Sequence, residues 1–171
     1  DGPTPEITTF VLNELKKHQA KATFFCIGKN VKNHPSIYER IKKEGHSVGN
    51  HTYNHLNGFR TNNINYIENI LQAEKLIESN LFRPPYGRLK SSQARSIIGK
   101  GYKIIMWDIL SGDFDTTITP EKCLKNVLEK TTNGSIVVMH DSEKAKDKIF
   151  YTLPKILSYY QEKGYLFKAI S

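Results

Sequence analysis

A chain of 171 residues has the length of one domain, and such a domain buries roughly 70% of the surface that its unfolded chain exposes, so a full core forms without disulfide staples. Hydrophobic residues make up 38% and charged residues 25%, with no low-complexity tract, which excludes a disordered chain, and no apolar run approaches the ~20 residues of a membrane span. The net charge of +8 favours anionic partners such as a cell-wall polymer, a membrane surface or nucleic acid without choosing among them, but the basic residues are scattered, as in Lys16-Lys17 and Lys42-Lys43, with no aromatic-interleaved patch, which argues against nucleic acid.

Asp1-Gly2-Pro3 opens the chain as a turn, and Thr4-Pro5-Glu6 sets a cap and a first-turn proline ahead of a helix over Ile7 to His18. Ala20 to Ile27 reads as a buried strand, with Cys26 as a small core residue within it. A helix follows from His34-Pro35 to Lys43, stopped by Gly45, then a strand around His46 to Asn50 and a long helix from Asn63 to Ser79. A strand at Leu81 to Arg83, a helix from Ser91 to Lys100 and a strand from Tyr102 to Ile109 come next. Thr119-Pro120-Glu121 caps a helix to about Lys130 that carries Cys123, Ser135 to His140 is a strand, Asp147 to Lys163 a helix, and Tyr165 to Phe167 a closing strand. The two cysteines form neither a disulfide framework nor a metal finger.

Repeated strand and helix with short connections predict an α/β fold with a mainly parallel sheet covered by helices, open or closed into a barrel, and no linker or repeat divides the chain. Chemistry in such folds gathers where strands end and loops lead into helices. Asp1, His51 with His55, Arg83 to Gly87, Asp113 and His140 all take such places.

His51 and His55 lie four residues apart, a spacing that puts two imidazoles on one face of a helical turn; exposed or core histidines show the same spacing. A carboxylate would complete a two-histidine, one-acid set that leaves positions open for water and substrate, and Asp1 is the candidate, though Asp-Gly-Pro is also an ordinary turn. Arg83-Pro84-Pro85-Tyr86-Gly87 joins a fixed positive charge to a rigid turn that aims Arg83 and Tyr86 into a groove or simply forms a structural loop. His140 leaves the apolar run Ile136 to Met139, as a general acid or a capping histidine.

In order along the chain, these segments resemble the five motifs of the NodB-homology polysaccharide deacetylases, carbohydrate esterase family 4. Asp1-Gly2-Pro3 resembles the end of a Thr-Phe-Asp-Asp-Gly-Pro motif, Gly45 to His55 the metal-histidine motif, Arg83 to Tyr86 the third motif, Trp107 to Phe114 the fourth, and Val138-Met139-His140 the fifth. The resemblance implies a distorted (β/α) barrel of about seven mostly parallel strands, a single domain over 1–171 that is truncated at its N-terminus and lacks its first strand. It implies one divalent metal ion, Zn2+ by default with Co2+, Ni2+, Fe2+ or Mn2+ also fitting, held by Asp1, His51 and His55, with the catalytic base an aspartate immediately before Asp1.

His140 would be the catalytic acid, oriented by Asp113, and Arg83 would orient the base. Tyr86 would supply a backbone amide to the oxyanion, with Pro85, Trp107, Phe114 and Val138 lining the substrate pocket. Leu110 stands where the fourth motif often has its first aspartate, Phe114 for a tryptophan and Val138 for a leucine. The implied partner is an acetylated amino-sugar polymer of N-acetylglucosamine type in the cell envelope, although no signal peptide is visible. An O-acetyl esterase acting on xylan and a noncatalytic glycan-binding domain are the other readings, and the oligomeric state stays open.

Overall fold

The computed structural model describes residues 1–171. Thirteen α-helices and strands follow in the order α1 Pro5–Lys17, β1 Thr23–Cys26, α2 Gly28–Asn33, α3 Pro35–Lys43, β2 Ser47–Asn50, α4 Asn63–Glu74, β3 Leu81–Phe82, α5 Ser91–Gly99, β4 Lys103–Ile104, β5 Ile109–Leu110, α6 Pro120–Leu128, β6 Val137–Val138 and α7 Lys146–Glu162. They group into two compact units, one of Asp1–Pro3 with Thr23–Met106, the other of Thr4–Ala22 with Trp107–Ser171.

The first unit holds a parallel sheet in the order β1-β2-β3-β4, with Thr23 opposite Ser47, Asn50 opposite Phe82, and Leu81 opposite Lys103. Parallel neighbours need crossovers, and helices supply them. Tyr66, Ile70, Phe82, Ile97 and Tyr102 form its central cluster, all at most 5% exposed. Each such side chain contributes about 1.5–3 kcal/mol by leaving water.

The second unit pairs β5 with β6 in parallel, Ile109 opposite Val137 and Leu110 opposite Val138. Ile109, Val127, Ile156 and Tyr160 cluster beneath that pair. Within it α1 and α7 lie together, with Phe10 and Phe150 stacked at 4.1 Å between ring centroids.

The α/β class with parallel strands is borne out, with six strands paired as four and two. Tyr165 to Phe167 pairs with no strand: a single bond from Lys21 N–H to the Phe167 carbonyl, at 3.1 Å, does not make a ladder. The expected strand from Tyr102 to Ile109 is two strands in different sheets, β4 and β5. The break follows Ile104, and the carbonyls of Ile105 and Met106 accept from Arg83 Nε and Nη2, both at 3.1 Å. Helix α4 ends at Glu74 instead of Ser79, and a short helix, α2, lies between β1 and α3 where no helix is expected. Thr119 caps α6 as expected, its hydroxyl accepting from Lys122 N–H at 3.2 Å, whereas the Thr4 hydroxyl turns away from α1 and donates to the Asp141 carbonyl at 2.8 Å.

Candidate metal centre and histidine–aspartate pair

Strand β2 delivers the first histidine. Its last residue, Asn50, is fully buried and donates to the Ile70 carbonyl at 3.0 Å and the Tyr102 hydroxyl at 3.3 Å, while its own oxygen accepts from Thr52 N–H at 2.9 Å. The chain does not then turn into a helix. Thr52 and His55 take φ of 63° and 58°, and the loop is held from α4, where Asn69 Oδ1 accepts from the N–H groups of Tyr53 and Asn54, each at 2.9 Å. Non-glycine residues reach this left-handed region only when surrounding bonds hold them there. The helical turn expected for His51 to His55 is therefore replaced by a strained, bonded loop.

Asp1 is fixed by backbone groups: its amino group donates to the Phe25 carbonyl at 3.2 Å, and its carbonyl accepts from Asn30 Nδ2 at 2.8 Å. His51 Nδ1 lies 2.7 Å from the Arg83 carbonyl, which can only accept, so Nδ1 carries the proton and Nε2 presents a lone pair. Each histidine Nε2, of His51 and of His55, lies 3.4 Å from Asp1 Oδ1, and the three donor atoms lie within 4.8 Å of one another. Two donors at about 2.1 Å from one tetrahedral cation stand about 3.4 Å apart, whereas an N–H···O bond closes to about 2.9 Å. Burial, then the neighbouring amino terminus and His55, holds the His51 pKa well below its usual value, so the imidazole is neutral, as a ligand must be. Asp1, His51 and His55 could hold one metal ion.

Arg83 leaves β3 with its guanidinium on the two carbonyls described above and 4.1 Å over the Phe25 ring; burial lowers its pKa to about 10, still protonated at neutral pH. Pro85 is buried in the turn that follows, and Tyr86, exposed with φ of 59°, sets its hydroxyl 3.2 Å from His55 Nδ1. Within this unit Asp1, His51, His55, Arg83 and Tyr86 are thus linked by direct contacts or through the Arg83 carbonyl.

In the second unit, β6 ends at Val138 and His140 follows. Asp113 is fully buried; one carboxylate oxygen accepts from His140 N–H at 2.5 Å and the other lies 2.7 Å from His140 Nδ1. The pair fixes the ring and leaves Nε2 as its free nitrogen. Phe114 is exposed and meets the His140 ring edge-on at 5.2 Å, Leu110 is exposed, Val138 is buried and Trp107 is half-buried. Register and strand alternation put Leu110, Val138 and His140 on one face of the β5–β6 pair. The supporting amides Asn30, Asn50 and Asn69 carry no sequence signal beyond being asparagines near the motifs.

Residues 1–105 match the family described as polysaccharide deacetylase. The chain belongs to that family. Two peptidoglycan-N-acetylglucosamine deacetylases of Bacillus cereus are similar to it, one 33% identical over 148 residues (83% of this chain, 54% of that protein), the other 32% identical over 177 residues (100% of this chain, 83% of that protein). The chain therefore spans about half the length of the first of these relatives. Its fold matches, with a TM-score of 0.93 and 30% identity, a crystal structure of the Bc1960 peptidoglycan N-acetylglucosamine deacetylase in complex with 4-naphthalen-1-yl-N-oxidanyl-benzamide, covering 99% of this chain and 82% of that one. The family resemblance read from the motifs is borne out.

Proposed function

We propose that the chain is a metal-dependent deacetylase that hydrolyses N-acetyl groups on a glycan of N-acetylglucosamine type, such as peptidoglycan, releasing acetate and leaving a free amine. The reading is supported most by one observation: two oriented imidazoles and a carboxylate at the separation a tetrahedral cation needs, with a position left for water and substrate. The named functions of the similar proteins and the net charge of +8, suited to an anionic envelope polymer, point the same way. Zinc is the expected ion, and cobalt, nickel, iron(II) or manganese suit the same donors. When bound, such an ion acts as a Lewis acid toward the acetyl carbonyl and makes water nucleophilic at neutral pH.

The chain's own residues supply the remaining chemistry. Hydrogen bonding of His51 Nδ1 to the Arg83 carbonyl keeps the ligand nitrogen aimed at the site. The Tyr86 backbone N–H, carried on a turn of fixed shape, is the donor assigned to the oxyanion. Asp113 holds His140 with Nδ1 as donor, so that Nε2 is the nitrogen oriented to deliver a proton to the departing sugar amine. In the second unit, the apolar Phe114, Val138 and Trp107 serve the acetyl methyl and the sugar. Arg83 orients the base, an aspartate that the family motif sets immediately before Asp1. No helix is long and apolar enough to cross a membrane, and the proposed substrate places the work in the cell envelope.

Acetate release decides the matter. A chain bearing an aspartate directly before Asp1 is expected to release acetate from chitooligosaccharides or peptidoglycan fragments, to stop on chelation and to recover with added zinc. Faster release from acetylated xylan would make it an O-acetyl esterase, and retention of glycans without release from any substrate would make it a binding module.

A further inference from the structure

The His140–Asp113 pair is held by a second tier of groups in its own unit. Asp113 N–H donates to Ser111 Oγ at 3.3 Å, and Ser111, fully buried, donates its N–H to the Val138 carbonyl at 3.2 Å. The Ser111 carbonyl is taken by α6, accepting from Asn126 Nδ2 at 3.0 Å. Between Ser111 and Asp113, Gly112 has φ of 80°, and a Cβ there would come within 3.5 Å of Asn126 Nδ2 and 2.9 Å of Ile118 Cδ1, so the Asn126 amide is packed against the backbone of this turn. Beyond Asp113 the turn is closed by Asp115 N–H on the Gly112 carbonyl at 2.9 Å and by Thr117, whose N–H and hydroxyl meet Asp115 Oδ1 at 2.9 and 2.7 Å.

A buried carboxylate that must meet both a backbone N–H and a ring nitrogen tolerates little displacement, because each of its bonds is steep in distance and angle. Its backbone position is set by Ser111 and Gly112, and the side-chain donor reaching the Ser111 carbonyl from outside the turn is Asn126. We infer that Asn126 is a positioning residue: through the Ser111 carbonyl it fixes Asp113, and through Asp113 it fixes the tautomer and orientation of His140. The inference rests on the deacetylase reading only for its effect on turnover.

The test compares the chain, bearing an aspartate directly before Asp1, with its Asn126→Ala variant, and with Ser111→Ala as a second variant that removes the acceptor of Asp113 N–H, a hydroxyl that also bonds the Cys123 thiol. Nitrogen-edited NMR of the histidine rings is expected to show a low-field, exchange-protected His140 Nδ1–H in the unaltered chain and its loss or marked upfield shift in Asn126→Ala. With chitooligosaccharides, kcat is expected to fall at least about tenfold, with KM changed less than about twofold, since misplaced catalytic groups lose rate rather than substrate affinity. An unchanged Nδ1–H resonance in Asn126→Ala overturns the inference, whatever the rate or Ser111→Ala does. Loss of the resonance in a chain that releases no acetate from any glycan would sustain the positioning role and sink the deacetylase reading instead.

Discussion

His51 and His55 in one unit and His140 in the other each face an aspartate, but at different distances and through different nitrogens. Both Nε2 atoms of the first pair stand 3.4 Å from Asp1 Oδ1, while His140 Nδ1 stands 2.7 Å from Asp113 Oδ1. The shorter distance is that of a shared proton, and the longer leaves room for a cation between donors. Orientation agrees with distance: His51 spends its Nδ1 proton on a carbonyl and turns a lone pair toward the acid, whereas His140 spends its Nδ1 proton on the acid and turns Nε2 away. One residue pair thus serves two chemistries, and the backbone acceptor at Arg83 makes the difference for His51.

The sharpest way to break that comparison is to remove a residue from each side. His51→Ala is expected to lower zinc affinity by more than about a hundredfold, beyond what outer groups contribute; calorimetric titration giving undiminished one-to-one binding would undo the ligand assignment. Asp113→Asn is expected to leave zinc content unchanged and lower kcat by about a thousandfold or more, the scale seen when a catalytic histidine loses its orienting acid. Equal effects of both substitutions on metal content would erase the distinction between the two sites.

Much of this is legible in the sequence. Thr119-Pro120 announced α6, Pro35 announced α3, and the apolar run into His140 placed that residue at a strand end, because caps, prolines and short apolar runs are local signals. The loop from His51 to His55 was not legible: its left-handed residues are a threonine and a histidine, and Asn69, which holds the loop in place, lies on the following helix. Asn126 reads as solvent-facing polarity between Lys125 and Val127 until its amide is seen on the Ser111 carbonyl. Helix α2, six residues long, is too short to show a period.

That dependence on remote amides gives a smaller test on the metal side. Asn69→Ala leaves Asn54 N–H without its acceptor, while Tyr53 N–H keeps the Asn69 backbone carbonyl at 3.1 Å, and is expected to lower stability by about 1–3 kcal/mol. Zinc affinity should fall about tenfold, because the ligands stay but their loop loosens. Denaturant melts and zinc titration check the two effects, and a stability loss with unaltered affinity would show that Thr52 and Asn50 hold the loop unaided.

Two core tyrosines differ in the same sense as the two sites, one with its hydroxyl unmet and one with it met. Tyr66 is fully buried in the first unit and its hydroxyl has no protein partner, so its pKa rises far out of the usual range by burial alone. Tyr160, buried in the second unit, donates toward the carbonyls of Val127 and Leu128, both at 3.2 Å. Removing a hydroxyl therefore has opposite signs: Tyr66→Phe is expected to be neutral or to stabilise by up to about 1 kcal/mol, and Tyr160→Phe to destabilise by about 1 kcal/mol. Urea unfolding of both variants checks this. A loss at Tyr66 equal to that at Tyr160 would mean that its hydroxyl is satisfied in solution, and the contrast between the two cores would then be one of shape and not of hydrogen bonding.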